Sequence, residues 1–313
     1  MRAPKRPARG VALLIAMVLL TVVATLASGM IWQQWRAVQV ETAERSRSQS
    51  YAILSGALDW SRLILREQRT NLVALTDPWA NPLAEASLST FLAADKDNNA
   101  DAGPEAFLSG QIADAQARYN LRNLLAQDGK LAEAEVATLR QLVQSAGAPA
   151  ESADLIAAGL LAATLVSDGH APLAPQRLAD LAWLGLDRPL IEALRPYLTL
   201  LPTPTPINLN TASREVIAAV LGIDAGSAER IARRPSTTAW NSLDTALQQL
   251  PTAQREKLAG RVAITSSYFE ITGQLRLEDR VVQERSLVLK RDRDVLVLQR
   301  ERLDTVLAPP GRG

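Results

Sequence analysis

The amino-acid sequence predicts an α+β protein: a long N-terminal helix packed on an antiparallel sheet, with a large inserted all-α domain. Three observations carry that expectation. An uncharged apolar run from Val11 to Trp32 continues, with no proline, to about Thr70. The middle of the chain is rich in Ala and Leu, which favour helices, and aromatic residues make up only 4% of the whole. The last segment alternates apolar and polar residues with the period of strands.

The 313 residues are enough for one large domain or two smaller ones once the N-terminal segment is set apart. The net charge is +1, from 34 basic and 33 acidic residues, so bulk charge argues for no polyanionic partner. The absence of cysteine removes disulfides, zinc–thiolate sites and cysteine nucleophiles. The single histidine, His170, sits in the turn-like context Ser167-Asp-Gly-His-Ala-Pro172 with no nucleophile motif beside it. A solvated loop histidine is the expectation, and nothing points to an enzyme or to a small-molecule substrate.

A helix rising ~1.5 Å per residue needs about 20 apolar residues to cross a bilayer, and Val11 to Trp32 supplies them. Arg2, Lys5, Arg6 and Arg9 precede the run, and no acid occurs before Glu41. The positive-inside rule then keeps the N-terminus cytoplasmic and puts the bulk of the chain across the membrane. Three readings fit. A cleaved signal peptide would have a shorter apolar core; Ala24 to Gly29 offers small residues, but hydrophobicity continues through Met30, Ile31 and Trp32. A plain signal anchor fits throughout. In the third reading cleavage falls after Gly10, leaving the whole apolar helix on a chain that starts at Val11. A short basic leader ending in glycine, then an intact apolar helix, resembles the class III signal of type IV pilins and pseudopilins. There a membrane peptidase cuts after the glycine and methylates the new N-terminus.

From Gln33 to about Thr70 the only glycine is Gly56. Tyr51, Leu54, Leu58 and Leu65, with Ala57, Trp60 and Ile64 beside them, recur close to a 3.6-residue period. Asp77-Pro78 is the expected stop. One helix is therefore expected from about Ala12 to Asn71, its first half in lipid and its second half laid amphipathically on a globular domain.

Beyond Pro78, the stretch from Pro104 to Leu131 predicts a short strand, a turn and a second extended piece entering a helix. Residues 131–143, 155–166, 175–183 and 189–197 are helical by composition. A Thr-Pro connector follows at Pro202 to Pro206, then a helix start at Asn210 to Ser213, with Thr211 or Ser213 as N-cap. Ala212 to Leu221 and Ala225 to Arg233 form a helical hairpin joined at Gly222-Ile-Asp224. That hairpin resembles the helix-hairpin-helix module of the competence DNA receptor, in which the turn offers N–H groups to a phosphate. Asp224, however, puts a carboxylate where the phosphate would approach. Arg214, Arg230, Arg233 and Arg234 are offset by Glu215, Asp224 and Glu229, leaving no basic stripe for nucleic acid.

In the final segment Phe269, Ile271, Leu275 and Leu277 fall on one face, opposite Glu270, Gln274, Arg276 and Glu278. Polar breaks at Glu278-Asp279-Arg280 and Arg291-Asp292-Arg293 divide three antiparallel strands, roughly 266–277, 281–290 and 294–303. A single sheet must bury one face, and the amphipathic part of the first helix is the available cover. The expected organisation is a leader at 1–10, a transmembrane part at 11–32, and the amphipathic helix with the first part of the core at 33–121. An inserted helical domain follows at 122–260, and the terminal strands lie at 261–313.

Four blocks stand in one order and spacing: Arg9-Gly10 with its apolar helix, Ser109 to Asp114 through Tyr119-Asn120-Leu121 and Asn123-Leu124, Leu201-Pro202 to Ser213, and Ser267-Tyr268-Phe269. Together they resemble the type II secretion system minor pseudopilin GspK (general secretion pathway protein K) family over essentially the whole chain. The resemblance implies a pilin-like fold with a large helical insertion. It implies assembly with two other minor pseudopilins, GspI-like and GspJ-like, as a cap on a periplasmic pseudopilus that helps drive folded proteins through an outer-membrane secretin. It also implies prepilin peptidase processing between Gly10 and Val11, and a single pass through the inner membrane. Pilins generally carry a glutamate at the fifth mature position, thought to pair with the preceding subunit's N-terminal amine; here that position is Ile15. A subunit with none ahead of it has no amine to neutralise, and a lone carboxylate in lipid costs about 3 kcal/mol. Ile15 thus points to the tip.

The resemblance also suggests calcium. Asp95, Asp97, Asn99 and Asp101 place hard oxygen ligands at alternate positions, like the first half of an EF-hand loop. Ala100 replaces the turn glycine of such a loop and Ala106 its bidentate glutamate.

Overall fold

The computed structural model describes residues 9–68, 72–88, 106–126, 128–164, 173–233, 238–277 and 280–307. The proline-free N-terminal stretch forms one uninterrupted helix, α1 (Arg9–Glu67), of 59 residues. Two units divide within it, residues 1–55 and 56–313. The helix ends at Glu67, four residues short of the expected end at about Asn71 and ahead of the stop at Asp77-Pro78. Those two residues build a separate turn instead. The Asp77 carboxylate accepts hydrogen bonds from Gln68 Nε2 (2.8 Å), Ala74 N (2.8 Å) and Trp79 Nε1 (3.1 Å), and Pro78 opens a one-turn 3-10 helix. Gln68 also donates to Leu72 O, so a side-chain amide just past the helix binds the segment that follows.

In the second unit the strands are β1 (Leu83–Ser87), β2 (Ala106–Asp114), and, far along the chain, three that close the fold. Two residue pairs, β3 (Tyr119–Asn120) and β4 (Leu198–Thr199), run parallel, as do β5 (Ile207–Asn208) and β6 (Val262–Ala263). The last three strands are β7 (Tyr268–Leu277), β8 (Arg280–Arg291) and β9 (Asp294–Leu307). The main sheet is antiparallel, in the order β1-β2-β7-β8-β9. The β2–β7 register runs without a break from Ala106↔Leu277 to Asp114↔Phe269, so everything between Asp114 and Tyr268 is inserted between two neighbouring strands. The β8–β9 turn is tight, with Asp292 at φ 51°. Asp tolerates that left-handed conformation better than most residues.

Alternation decides which face is covered. Phe269 and Ile271 on β7, Val288 on β8 and Val295 on β9 pack with Leu58 and Leu65 of α1 and with Val73 and Trp79. Trp79 meets Phe269 edge-on, with centroids 5.4 Å apart at 73°. Arg62 of α1 donates from Nε and Nη2 to Val295 O, at 2.9 and 2.7 Å, tying the helix to β9.

The insertion has its own core, built on α2 (Glu133–Ser145), α3 (Glu151–Ala162), a 3-10 turn (Leu178–Leu184) and α4 (Arg188–Leu194). These are followed by α5 (Arg214–Leu221), α6 (Ala225–Arg233), α7 (Leu243–Leu247) and α8 (Thr252–Lys257). Leu139, Leu142, Ile156, Leu181, Ile217 and Ile231 are central to it and fully buried. Sequence and structure differ in three places. The expected strand and turn after Pro104 are one nine-residue strand, β2. The 175–183 helix is a 3-10 turn, and the 189–197 helix ends at Leu194, because the chain next extends as β4 to pair with β3. The two short parallel pairings carry no alternation that would announce them. Buried side-chain amides hold them.

Candidate functional site

Three features of the chain bear on function: the apolar half of α1, a buried polar network, and the α5–α6 hairpin. Within residues 9–55, α1 presents apolar side chains to its surroundings on all sides from Val11 to Trp35. By length and composition it can cross a membrane. The hydroxyls inside the run do not oppose this. Thr21, Thr25 and Ser28 donate to Val18 O, Val22 O and Ala24 O at 2.8–2.9 Å, so each is satisfied within the helix. Gly10 lies in the first turn of α1, Val11 follows it, and Ile15 is an exposed apolar residue one turn further on.

The polar network gathers the blocks that stand apart in sequence. Asp114, at the end of β2, is 4% exposed. Its Oδ1 accepts from Gln116 N (2.8 Å). Its Oδ2 accepts from Asn208 Nδ2 (2.9 Å), Thr211 Oγ1 (2.6 Å) and Ser266 Oγ (2.6 Å). Burial pushes the Asp114 carboxyl above the usual carboxylate range, opposed by the hydrogen bonds from Ser266, Thr211, Asn208 and Gln116. Asn208 reaches on to Val73 O (3.0 Å), and Asn210 exchanges two bonds with the backbone of Trp240. Upstream, Asn120 accepts from Leu201 N and donates to Thr203 O and Thr205 Oγ1, while Asn123 exchanges bonds with Thr205 N and O. Gln116 completes the set, donating to Pro206 O and accepting from Ser267 N and Tyr268 N. The Thr-Pro connector is thus stapled to the ends of β2 and β7. Sequence reasoning marks these blocks but gives Asp114 and Gln116 no role. The available signal is polar residues set among apolar neighbours, as in Ile207-Asn-Leu-Asn210.

The hairpin is closed to a phosphate. Ser213 is the N-cap of α5, accepting from Val216 N, while Thr211, the other candidate, serves Asp114. At the turn, Asp224 accepts from Ser227 N (3.0 Å) and Ser227 Oγ (2.6 Å), which holds its pKa below the usual carboxylate range. Its carboxylate occupies the N-terminus of α6, where an anion would bind. Arg214 pairs with Glu215 (2.6 Å), Arg233 with Glu229 (2.7 Å), and Arg230 donates to Ser227 Oγ. Arg234 lies outside the described residues.

Residues 207–265, from β5 through the hairpin to β6, match the family model described as Type II secretion system (T2SS), protein K. The chain is 26% identical over 312 residues to a Type II secretion system protein K from Pseudomonas aeruginosa, covering 88% of this chain and 87% of that one. It is 25% identical over 331 residues to a Type II secretion system protein K from Pectobacterium carotovorum subsp. carotovorum, covering 94% and 96%. Over most of its length the chain is similar to proteins K of the type II secretion system. Its function is that of a minor pseudopilin of the type II secretion system. The fold agrees. In the crystal structure of the GspK-GspI-GspJ complex from the enterotoxigenic Escherichia coli type 2 secretion system, a matching chain superposes with a TM-score of 0.65 at 19% identity, covering 84% of this chain and 98% of that one.

The segment matched by the protein K model is tied to the sheet through Asp114, Asn208 and Ser266. A second link crosses the sheet face away from α1. Arg118 meets Glu270 (3.3 Å), Glu270 meets Arg285 (3.6 Å), Arg285 meets Glu301 (3.7 Å), and Glu301 meets Arg177 (3.8 Å). The calcium candidates Asp95, Asp97, Asn99 and Asp101 lie outside the described residues, as does His170. Among the described residues no group of three or more His, Cys, Asp or Glu is placed to hold a metal.

Proposed function

We propose that this minor pseudopilin is a structural subunit, not an enzyme, at the tip of the type II secretion pseudopilus. It is processed by prepilin peptidase after Gly10 and starts at a methylated Val11. α1 anchors it once in the inner membrane with the bulk of the chain in the periplasm. Its partners are a GspI-like and a GspJ-like minor pseudopilin, as the GspK relative assembles in the Escherichia coli complex. The observation that carries this reading is α1 itself: one helix of 59 residues, apolar all round at its start and packed on an antiparallel sheet at its end. Ile15 supports the tip position, since it offers no carboxylate to the N-terminal amine of a subunit ahead.

Mass spectrometry of the N-terminus, on chain extracted from membranes containing prepilin peptidase, tests the processing. A mature chain beginning at methylated Val11 is expected, and Gly10→Val should leave the leader attached. An intact Met1 in the wild-type chain overturns the reading in favour of an unprocessed anchor. Co-purification with the two candidate minor pseudopilins tests the assembly.

We further propose that Asp95, Asp97, Asn99 and Asp101 hold a calcium ion, which hard oxygen ligands at alternate positions suit. Calcium, and not magnesium, should then raise the unfolding temperature of the wild-type chain. Asp95→Asn with Asp97→Asn should abolish the increase, and an unchanged increase discards this assignment.

A further inference from the structure

Arg36 is the only charged residue between Val11 and Val40. It stands one turn beyond Trp32, with its guanidinium carbon 5.9 Å from the Trp32 ring centroid, and it has no acidic partner among the described residues. Trp32 and Trp35 are each 61% exposed. Positions 32, 35 and 36 share one helix face, so two indoles and one guanidinium make a single collar.

We propose that Trp32, Trp35 and Arg36 form a phospholipid-headgroup site at the membrane surface opposite the basic leader, with the Arg36 guanidinium taking a lipid phosphate. The proposal rests on the reading of α1 as membrane-spanning. Distance supports it first. From Val11 to Trp32 the helix rises ~33 Å at ~1.5 Å per residue, against a hydrocarbon core ~30 Å thick. With the basic residues before Val11 at one surface, Trp32 reaches the other. Arg36 lies ~6 Å further on, inside a headgroup layer that is about 5–7 Å deep on each side.

Chemistry supports it second. Indoles favour this interface because their faces are apolar while their N–H groups need a hydrogen-bond acceptor. A guanidinium forms bidentate bonds to phosphate and stacks on an aromatic face at the same time. Arg36 lacks a carboxylate partner, and each phospholipid headgroup carries an anionic phosphate. The hydroxyls of the preceding span are already satisfied within the helix, so the collar is the first place where α1 asks for an external polar partner.

The absence of cysteine makes the test direct. Single cysteines replacing Leu26, Gln33 and Gln39 in the full-length chain, spin-labelled in vesicles of phosphatidylethanolamine and phosphatidylglycerol, report depth. The expected result places the Leu26 label in hydrocarbon, the Gln33 label at the headgroups and the Gln39 label in water. Arg36→Gln should let the Gln33 label sink by about one helical turn, ~5.4 Å. Solid-state NMR dephasing of arginine guanidinium carbons by lipid phosphorus should show a close pair that Arg36→Gln abolishes.

A Leu26 label in water defeats the membrane-spanning reading itself. A Leu26 label in hydrocarbon, with Gln33 insensitive to Arg36→Gln and no guanidinium–phosphorus pair, leaves the anchor intact and overturns the collar.

Discussion

Asp114 shows how much one side chain carries. It accepts four hydrogen bonds from donors on three separate stretches of chain, those from Gln116 and Asn208 buried and those from Thr211 and Ser266 partly buried. Asp114→Ala leaves those donors without an acceptor. Each unsatisfied buried group costs about 1–3 kcal/mol, so the loss should be at least ~3 kcal/mol, read from urea unfolding of the full chain in detergent. Asp114→Asn keeps the shape and one acceptor oxygen, and should cost less. The two variants also separate charge from hydrogen bonding through pH. Burial raises the folded pKa of Asp114 above its unfolded value, which is about 3.9. In the window between those values the folded state binds the extra proton, so this residue's contribution to stability falls as pH rises and is recovered on acidification. Asp114→Asn should remove that component and flatten the pH dependence above about 4. An unchanged slope would show that another group sets it.

Among the elements, those with strong periodicity are legible in the sequence and those held by amides are not. The three terminal strands lie within a few residues of their expected limits, because polar breaks separate them and β7 sets Phe269 and Ile271 against a covered face. The α5–α6 hairpin is equally readable from Ser213, Gly222 and the apolar spacing between them. The pairings β3–β4 and β5–β6 are not, since Tyr119-Asn120 and Ile207-Asn208 owe their conformation to partners about 80 and 55 residues away. The buried network around Asp114 escapes for the same reason: its members' residue types can be seen but their convergence cannot. The long helix is foreseeable and its end is not, because Gln68 and Asp77 act through side-chain contacts that periodicity does not report. Within the sheet, Gly110 opposite Gly273 marks a close approach. A Cβ at Gly110 would stand 2.9 Å from Thr272 O, a backbone atom that cannot yield without moving β7. Gly110→Ala should therefore destabilise the sheet by about 1–3 kcal/mol, whereas at an ordinary strand position the same change is favourable. Thermal unfolding measures the difference, and an unchanged transition would mean that the β2–β7 pairing relaxes freely.

At the scale of the whole molecule, the insertion lies between two neighbouring strands and must be held to the sheet it interrupts. Besides the Asp114 network, two systems connect them. One is the ion-pair chain from Arg177 through Glu301, Arg285 and Glu270 to Arg118; the other is the amide network of Gln116, Asn120 and Asn123. Magnitudes favour the amides. The ion pairs are 3.3–3.8 Å long, their side chains keep 14–41% of their exposure, and each such pair contributes about 1 kcal/mol or less. Asn120 is fully buried, and its four bonds go to Arg122 N, Leu201 N, Thr203 O and Thr205 Oγ1, of which the Leu201 bond is fully buried and the others partly. Asn120→Ala should cost on the order of 3 kcal/mol and speed amide exchange at Leu201 and Thr203, with the same effect at about 0.1 M and about 1 M salt. Glu270→Gln combined with Glu301→Gln should cost less than about 2 kcal/mol and leave those amides protected. Salt should mimic this pair of changes in the wild-type chain, because the Debye length shrinks to about 3 Å at about 1 M and screens the ion pairs while the amide bonds persist. If the glutamate variant, and not Asn120→Ala, frees the connector amides, the ion chain holds the insertion and the order of the two systems is reversed.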